Sequence, residues 1–290
     1  IPVVGHVPES VSVREAIEAG QRTIEHNTRV ELAMTPRGEE LSAWALRLSQ
    51  VFFDRHRALP IVGPLFGLRL AVADSAMASY DSATAYAFGR FAAERPVWFD
   101  PTLVVMESVF RVDSAFRNPP ELQYAPAASL AMDEGLPTGA QATPAQLEAG
   151  RARMRRQLST IPPLIGSGAK LITGTDAPVV PLVPGFSLHR ELELLVEAGL
   201  TPMQAIQAAT RNSAEAAQRL AILGTIEPGK RASLVLLGAD PLADIRNVKR
   251  IDAVFLNGRY FDRAALDGML DSARAYAQST RRREVAGVSP

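Results

Sequence analysis

The chain has 290 residues, 47% of them hydrophobic and 21% charged, which is enough apolar material for one large core or for a barrel with an appendage. Its 31 basic and 31 acidic residues cancel, so no net field draws it to nucleic acid or to an anionic membrane. Cysteine is absent, which excludes disulfides and thiolate ligands and leaves nitrogen and oxygen to hold any metal.

The chain opens on Ile1-Pro2-Val3-Val4-Gly5-His6, which reads as a strand already under way, so a truncated start is expected and a signal peptide would lie out of view. The compartment therefore stays open. Ser12-Val13-Arg14-Glu15 has capping-box spacing and begins a short helix with Val13, Ala16, Ile17 and Gly20 on one face. Gln21-Arg22-Thr23-Ile24-Glu25-His26 is the next strand. Strand, short helix and strand define a right-handed βαβ unit, which carries His6 and His26 to the same edge of a parallel sheet.

Helical spacing follows over Glu39 to His56, with Leu41, Ala45, Leu48 and Phe52 on one stripe, and again over Asp81 to Ala93. His56 falls at a helix end and reads as a dipole or solvent contact. The most apolar run, Ile61 to Ala73, carries Arg69 and is too short to cross a bilayer, so it reads as buried. Val97 to Val105 is a third strand candidate, with Pro101 marking a bulge or a strand start. Met106 to Thr143 holds four prolines and little periodicity, and a loop of that length at a strand end reads as a lid or binding element. Thr143-Pro144-Ala145-Gln146 then caps a helix whose Arg151, Arg153, Arg155 and Arg156 form a wet face.

Leu171-Ile172-Thr173-Gly174-Thr175-Asp176-Ala177-Pro178 is the stretch around which the rest is arranged. Apolar and β-branched residues run into a glycine and a lone aspartate, and the proline bars regular continuation, so Asp176 sits at the C-terminal end of a strand. Beyond it a helix runs from about Gly185 to Gly199 with Leu188, Leu192, Leu195 and Val196 facing inward, and His189 on its first turn is placed to touch a substrate or to serve as a hydrogen-bonded structural residue. Thr201-Pro202-Met203-Gln204 caps the next helix. After Gly224, strands over Ala232 to Leu237 and Ile251 to Leu256, turned at Asn257-Gly258, make a small antiparallel element, and Asp262 to Arg283 is a helical tail.

His6, His26 and Asp176 are placed alike at three strand ends. Imidazole and carboxylate suit a divalent metal such as zinc, which lowers the pKa of a water toward about 7, and a neighbouring carboxylate can take that water's proton. Singly, Asp176 could cap a helix and each histidine could be an ordinary strand-end residue, so the reading rests on the three together.

In order along the chain, Gly5-His6-Val7-Pro8, Ile24-Glu25-His26, Pro101-Thr102-Leu103, Thr173-Gly174-Thr175-Asp176, Leu192 to Pro202 and Gly229 to Val235 resemble the metal-dependent amidohydrolase superfamily, nearest its imidazolonepropionase and prolidase-like branch. The resemblance covers nearly the whole chain. It implies an α/β fold: a partial TIM-like (β/α)8 barrel, strands five to eight, joined to part of a small β-sandwich. Residues 1–222 would be the C-terminal half of the barrel, 223–262 the sandwich portion and 263–290 a helical tail. It also implies hydrolysis of carbon–nitrogen bonds, amide or cyclic amide, by a water activated on one or two zinc-like ions. His6, His26 and Asp176 match the ligands after strands five, six and eight, and Asp176 also matches the base.

The family's His-X-His pair after strand one and the lysine after strand four have no counterpart here, which points to a C-terminal fragment that is inactive alone. Ser233 stands where the family usually has aspartate. The expected partner is a small-molecule substrate, with neither nucleic acid nor membrane, and homo-oligomerisation stays open. Two other readings remain: a non-catalytic half-barrel that binds a ligand without turnover, and a metal-dependent esterase or phosphoesterase on the same fold.

Overall fold

The computed structural model describes residues 2–27, 29–55, 62–111, 118–130, 142–179 and 181–285. His56 and much of the proline-rich 106–143 stretch lie outside them. The chain divides into two compact units, residues 1–101 with 156–172, and residues 102–155 with 173–290.

The first unit is α/β. Strands β1 (Val3–Gly5), β2 (Gln21–Glu25), β3 (Trp98–Asp100) and β4 (Lys170–Leu171) form one parallel sheet in the order β1-β2-β3-β4. Helix α1 (Val13–Glu18) makes the crossover from β1 to β2, and the expected capping box is present, with Ser12 and Glu15 bonded reciprocally. Val13, Ala16 and Ile17 are buried as their spacing requires, whereas Gly20 is exposed beyond the helix end. Helices α2 (Gly38–Arg55), α3 (Val62–Ala78) and α4 (Ser82–Ala93, capped by Asp81) separate β2 from β3. Ile24 and Phe99 from the sheet and Phe88 from α4 are fully buried, and the rings of Phe88 and Phe99 meet edge to face at 6.0 Å. Helix α5 (Leu103–Phe110), which belongs to the second unit, begins directly after β3.

That helix corrects the expectation of a strand over Val97 to Val105. Only Trp98–Asp100 is strand; Thr102 turns left-handed at φ 41°, and Leu103-Val104-Val105 is the first turn of α5. A short run of buried apolar residues has no periodicity with which to separate strand from helix. The 106–143 stretch is also not plain loop: besides α5 it holds a 3-10 turn over Pro120–Tyr124 and helix α6 (Ala127–Leu130).

Helix α7 (Pro144–Ser159) begins with the expected reciprocal bonds between Thr143 and Gln146. In the first unit, α8 (Ile161–Gly166) packs on α4 so closely that a Cβ on Gly89 would stand 2.5 Å from the carbonyl oxygen of Pro163. In the second unit, α9 (Phe186–Glu197) buries Ser187, Glu191, Leu192, Leu194 and Leu195, leaving Leu188 and Val196 half-buried. Thr201 and Gln204 form the capping box of α10 (Pro202–Gln207), and a π turn leads to α11 (Ser213–Ala216). Strands β5 (Leu234–Leu237), β6 (Ile251–Leu256) and β7 (Arg259–Asp262) make an antiparallel sheet. Asn257 and Gly258 are both left-handed, as a two-residue hairpin turn requires. The tail is one helix, α12 (Arg263–Val285). No helix of the described residues is long and apolar enough to cross a membrane.

Among the described residues β1 pairs only with β2 and β4 only with β3, and on β1 Val3 and Val4 are 62% and 60% exposed. An apolar edge of this kind offers a template for another strand. Sedimentation of these 290 residues should therefore show concentration-dependent self-association that Val3→Lys with Val4→Glu reduces; a monomer at all concentrations would show that the edge is protected.

Candidate functional site

Parallel pairing sets β1 beside β2 with Gly5 opposite Ile24, so the residues just past the two strands emerge at one edge. Those residues are His6 and His26. Their ring centroids lie 4.8 Å apart with the planes at 61°. Gly5 at φ 137° releases the chain from β1, while His26 and Asn27, at φ 55° and 47°, turn it left-handed immediately after β2. His6 is exposed and His26 half-buried. The 4.8 Å ring spacing is an edge-to-face contact, and it brings together two imidazoles, the side chains that most often hold a divalent metal. Among the described residues, no group of three or more His, Asp or Glu is gathered as a metal site.

Two carboxylates share that sheet edge. Glu25 and Asp100 end β2 and β3 and face each other in register, and Asp100 is only 7% exposed. The sequence reading passed over Asp100, although a lone carboxylate between Trp98-Phe99 and Pro101 at a strand end carries the same signal as Asp176. Just beyond His26, Asn27 and Arg29 are 2% and 8% exposed, and among the described residues both ends of the Asn27 amide and Nε and Nη2 of Arg29 have no hydrogen-bond partner. Burial holds the Arg29 guanidinium below its usual range and pushes the Glu31 carboxyl up to about 7.

Asp176 lies in the second unit, at the end of an irregular stretch that follows β4. It is exposed, left-handed at φ 54°, and followed by a cis Ala177–Pro178 bond. His189, on the first turn of α9, is half-buried in the lining of a pocket of about 550 Å³. Burial, with Lys249 nearby, holds its imidazole below the usual range, so it is neutral at pH 7.

The fully buried Glu191 is the residue the apolar-stripe analysis of α9 missed. Its two carboxylate oxygens accept from the backbone N–H groups of Leu103 and Val104 at 3.0 and 2.7 Å, which caps α5 from another helix where Thr102 supplies no side-chain cap. One residue earlier, Arg190 grips the buried Glu107 with two parallel bonds, both at 2.9 Å, and reaches Glu193 and Glu197 as well. Despite its burial, Glu107 and Glu197 push the Arg190 guanidinium above its usual range.

The amidohydrolase family profile matches residues 1–260, and the chain belongs to the amidohydrolase family. Among solved structures it is similar to bottromycin amidohydrolase, at 24% identity and a TM-score of 0.70 over 96% of this chain and 53% of that one. It is also similar to a Bifidobacterium longum protein assigned as a prolidase, at 24% identity and a TM-score of 0.50 over 94% of this chain and 51% of that one. Ochratoxinase of A. niger matches at 19% identity and a TM-score of 0.50 over 90% of this chain and 41% of that one. The chain thus spans about half the length of the structures it resembles. No curated protein sequence gave a significant match.

Glu191 gives a direct stability test. Removing it leaves two buried N–H groups without an acceptor, so Glu191→Ala should lower unfolding stability by about 3 kcal/mol and Glu191→Gln, which keeps one acceptor, by about half that. Urea unfolding followed by far-UV circular dichroism measures both; equal and negligible losses would mean that α5 does not depend on this cap.

Proposed function

We propose that the chain is the C-terminal half of a metal-dependent hydrolase of carbon–nitrogen bonds, amide or cyclic amide. In this reading β1 to β4 are strands five to eight of a TIM-like (β/α)8 barrel and β5 to β7 are part of a small β-sandwich. The order β1-β2-β3-β4, all parallel, supports it, together with the family match over residues 1–260. The observation that carries it is the imidazole pair: His6 and His26 stand together at the C-terminal edge of a parallel sheet, where enzymes of this architecture place their chemistry.

His6 and His26 would supply two nitrogen ligands and Asp176 a carboxylate ligand. A divalent cation, zinc by the chemistry of this donor set, would supply the Lewis acidity that makes a water nucleophilic near neutral pH. Asp176 would be the carboxylate that accepts a proton and returns it to the leaving nitrogen. Neutral His189 contacts the substrate with one hydrogen bond and adds no charge. Asn27 and Arg29, buried with unused donors just past His26, are available to hold the neighbouring polar groups in place.

In the full-length enzyme, Asp176→Asn keeps the size and one oxygen donor but removes the base. General-base assistance contributes about 10²–10⁴-fold, so kcat on a panel of amides and N-acyl amino acids should fall by at least that much. His6→Ala and His26→Ala should act through metal affinity, with elemental analysis showing lost metal and added zinc restoring part of the activity. Near-normal kcat in Asp176→Asn would make Asp176 a structural turn residue and remove the proposed base.

A further inference from the structure

Among the described residues, the lining of the pocket around His189 carries Arg111, Arg190 and Lys249 beside the half-buried imidazole, with Glu121 as its acid. The carboxylates that fix these cations are outside the lining: Glu107, with its side chain only 3% exposed, lies 2.9 Å from Arg190 and 3.3 Å from Arg111, and Glu193 lies 2.6 Å from Lys249. Three cations are thereby held in place by acids behind them. Lys249 is 51% exposed, and an ammonium carries three donors, so its ion pair with Glu193 leaves capacity for a second anion.

Apart from Ser187, the rest of the described lining is apolar, and it is braced. Pro119, Pro120, Leu182 and Phe186 supply most of that wall. The ring of Tyr124 stacks on Phe186 at 5.1 Å with the planes 9° apart. The tail helix α12 holds the 119–125 segment from the other side: Arg274 donates to the Tyr124 hydroxyl at 3.2 Å, and Arg281 donates to the carbonyls of Leu122 and Ala125. Conformational freedom is therefore removed from the wall before any ligand arrives, which reduces the cost of binding.

We propose that this pocket binds an organic anion with an apolar body, its carboxylate met by Lys249 and its body laid against Pro119, Pro120, Leu182 and Phe186. A charged head facing fixed cations and a desolvated body facing prolines and an aromatic ring is the pairing that this lining rewards. The inference shares with the proposed function only the use of His189 as a ligand contact. It needs neither metal nor turnover, so binding measurements separate its failure from that of the hydrolytic reading.

The test is titration calorimetry of the protein with 3-phenylpropionate and with its uncharged isostere 3-phenylpropanamide. Wild type should bind the carboxylate about tenfold more tightly than the amide, the size of one charge-assisted contact. Lys249→Met should lose about tenfold for the carboxylate and leave the amide unchanged, while Lys249→Arg keeps the preference. Equal binding of the two probes by wild type, binding of neither, or an unchanged preference in a folded Lys249→Met would overturn the proposal. Should Lys249→Met fail to fold, the wild-type preference decides by itself.

Discussion

The constraint on which the candidate site depends is the parallel hydrogen-bonded register of β1 and β2. Parallel strands end on the same side, so two residues that each follow a strand are delivered side by side without any contact of their own to bring them there. Here Gly5 opposite Ile24 does this for His6 and His26. Thr23 and Ile24 point to opposite faces of β2 and are 5% and 0% exposed, so both faces of the strand are covered, and a slip of one residue would exchange the hydroxyl and the isoleucine between two packed environments. The left-handed turn at His26 and Asn27 then aims the chain away from the edge so that the ring remains at it.

The second unit is organised by buried carboxylates rather than by apolar register. Glu191 and Glu107 lie on α9 and α5 and reach across to each other's helix, the first capping α5 and the second gripping Arg190 on α9. Buried charges are costly unless every lone pair is used, and here each acid accepts at least two bonds. The result is a rigid pair of helices beneath the His189 pocket, with α12 bracing its wall. The tail helix thereby has a structural task in the unit to which it belongs.

Much of this was legible in the sequence because the signals were local. The capping boxes at Ser12 and Thr201, the Asn257-Gly258 hairpin, the βαβ unit joining His6 to His26 and the tail helix all follow from a few adjacent residues. The strand expected over Val97 to Val105 failed because buried apolar residues lack periodicity, and what decides for helix at Leu103 is a carboxylate 88 residues away. Glu191 was hidden for the same reason: a glutamate beside an apolar stripe reads as solvated until the N–H groups it caps are seen. Asp100 carries a signal of its own in the sequence, a lone carboxylate at a strand end beside Pro101.

The most direct test of the account is to follow the ring nitrogens of His6, His26, His56 and His189 by NMR while zinc is added to the full-length protein. The account predicts that His6 and His26 respond together and saturate at the same metal equivalent, with His189 unchanged. A response from only one of the pair, or from His189 in their place, would contradict it.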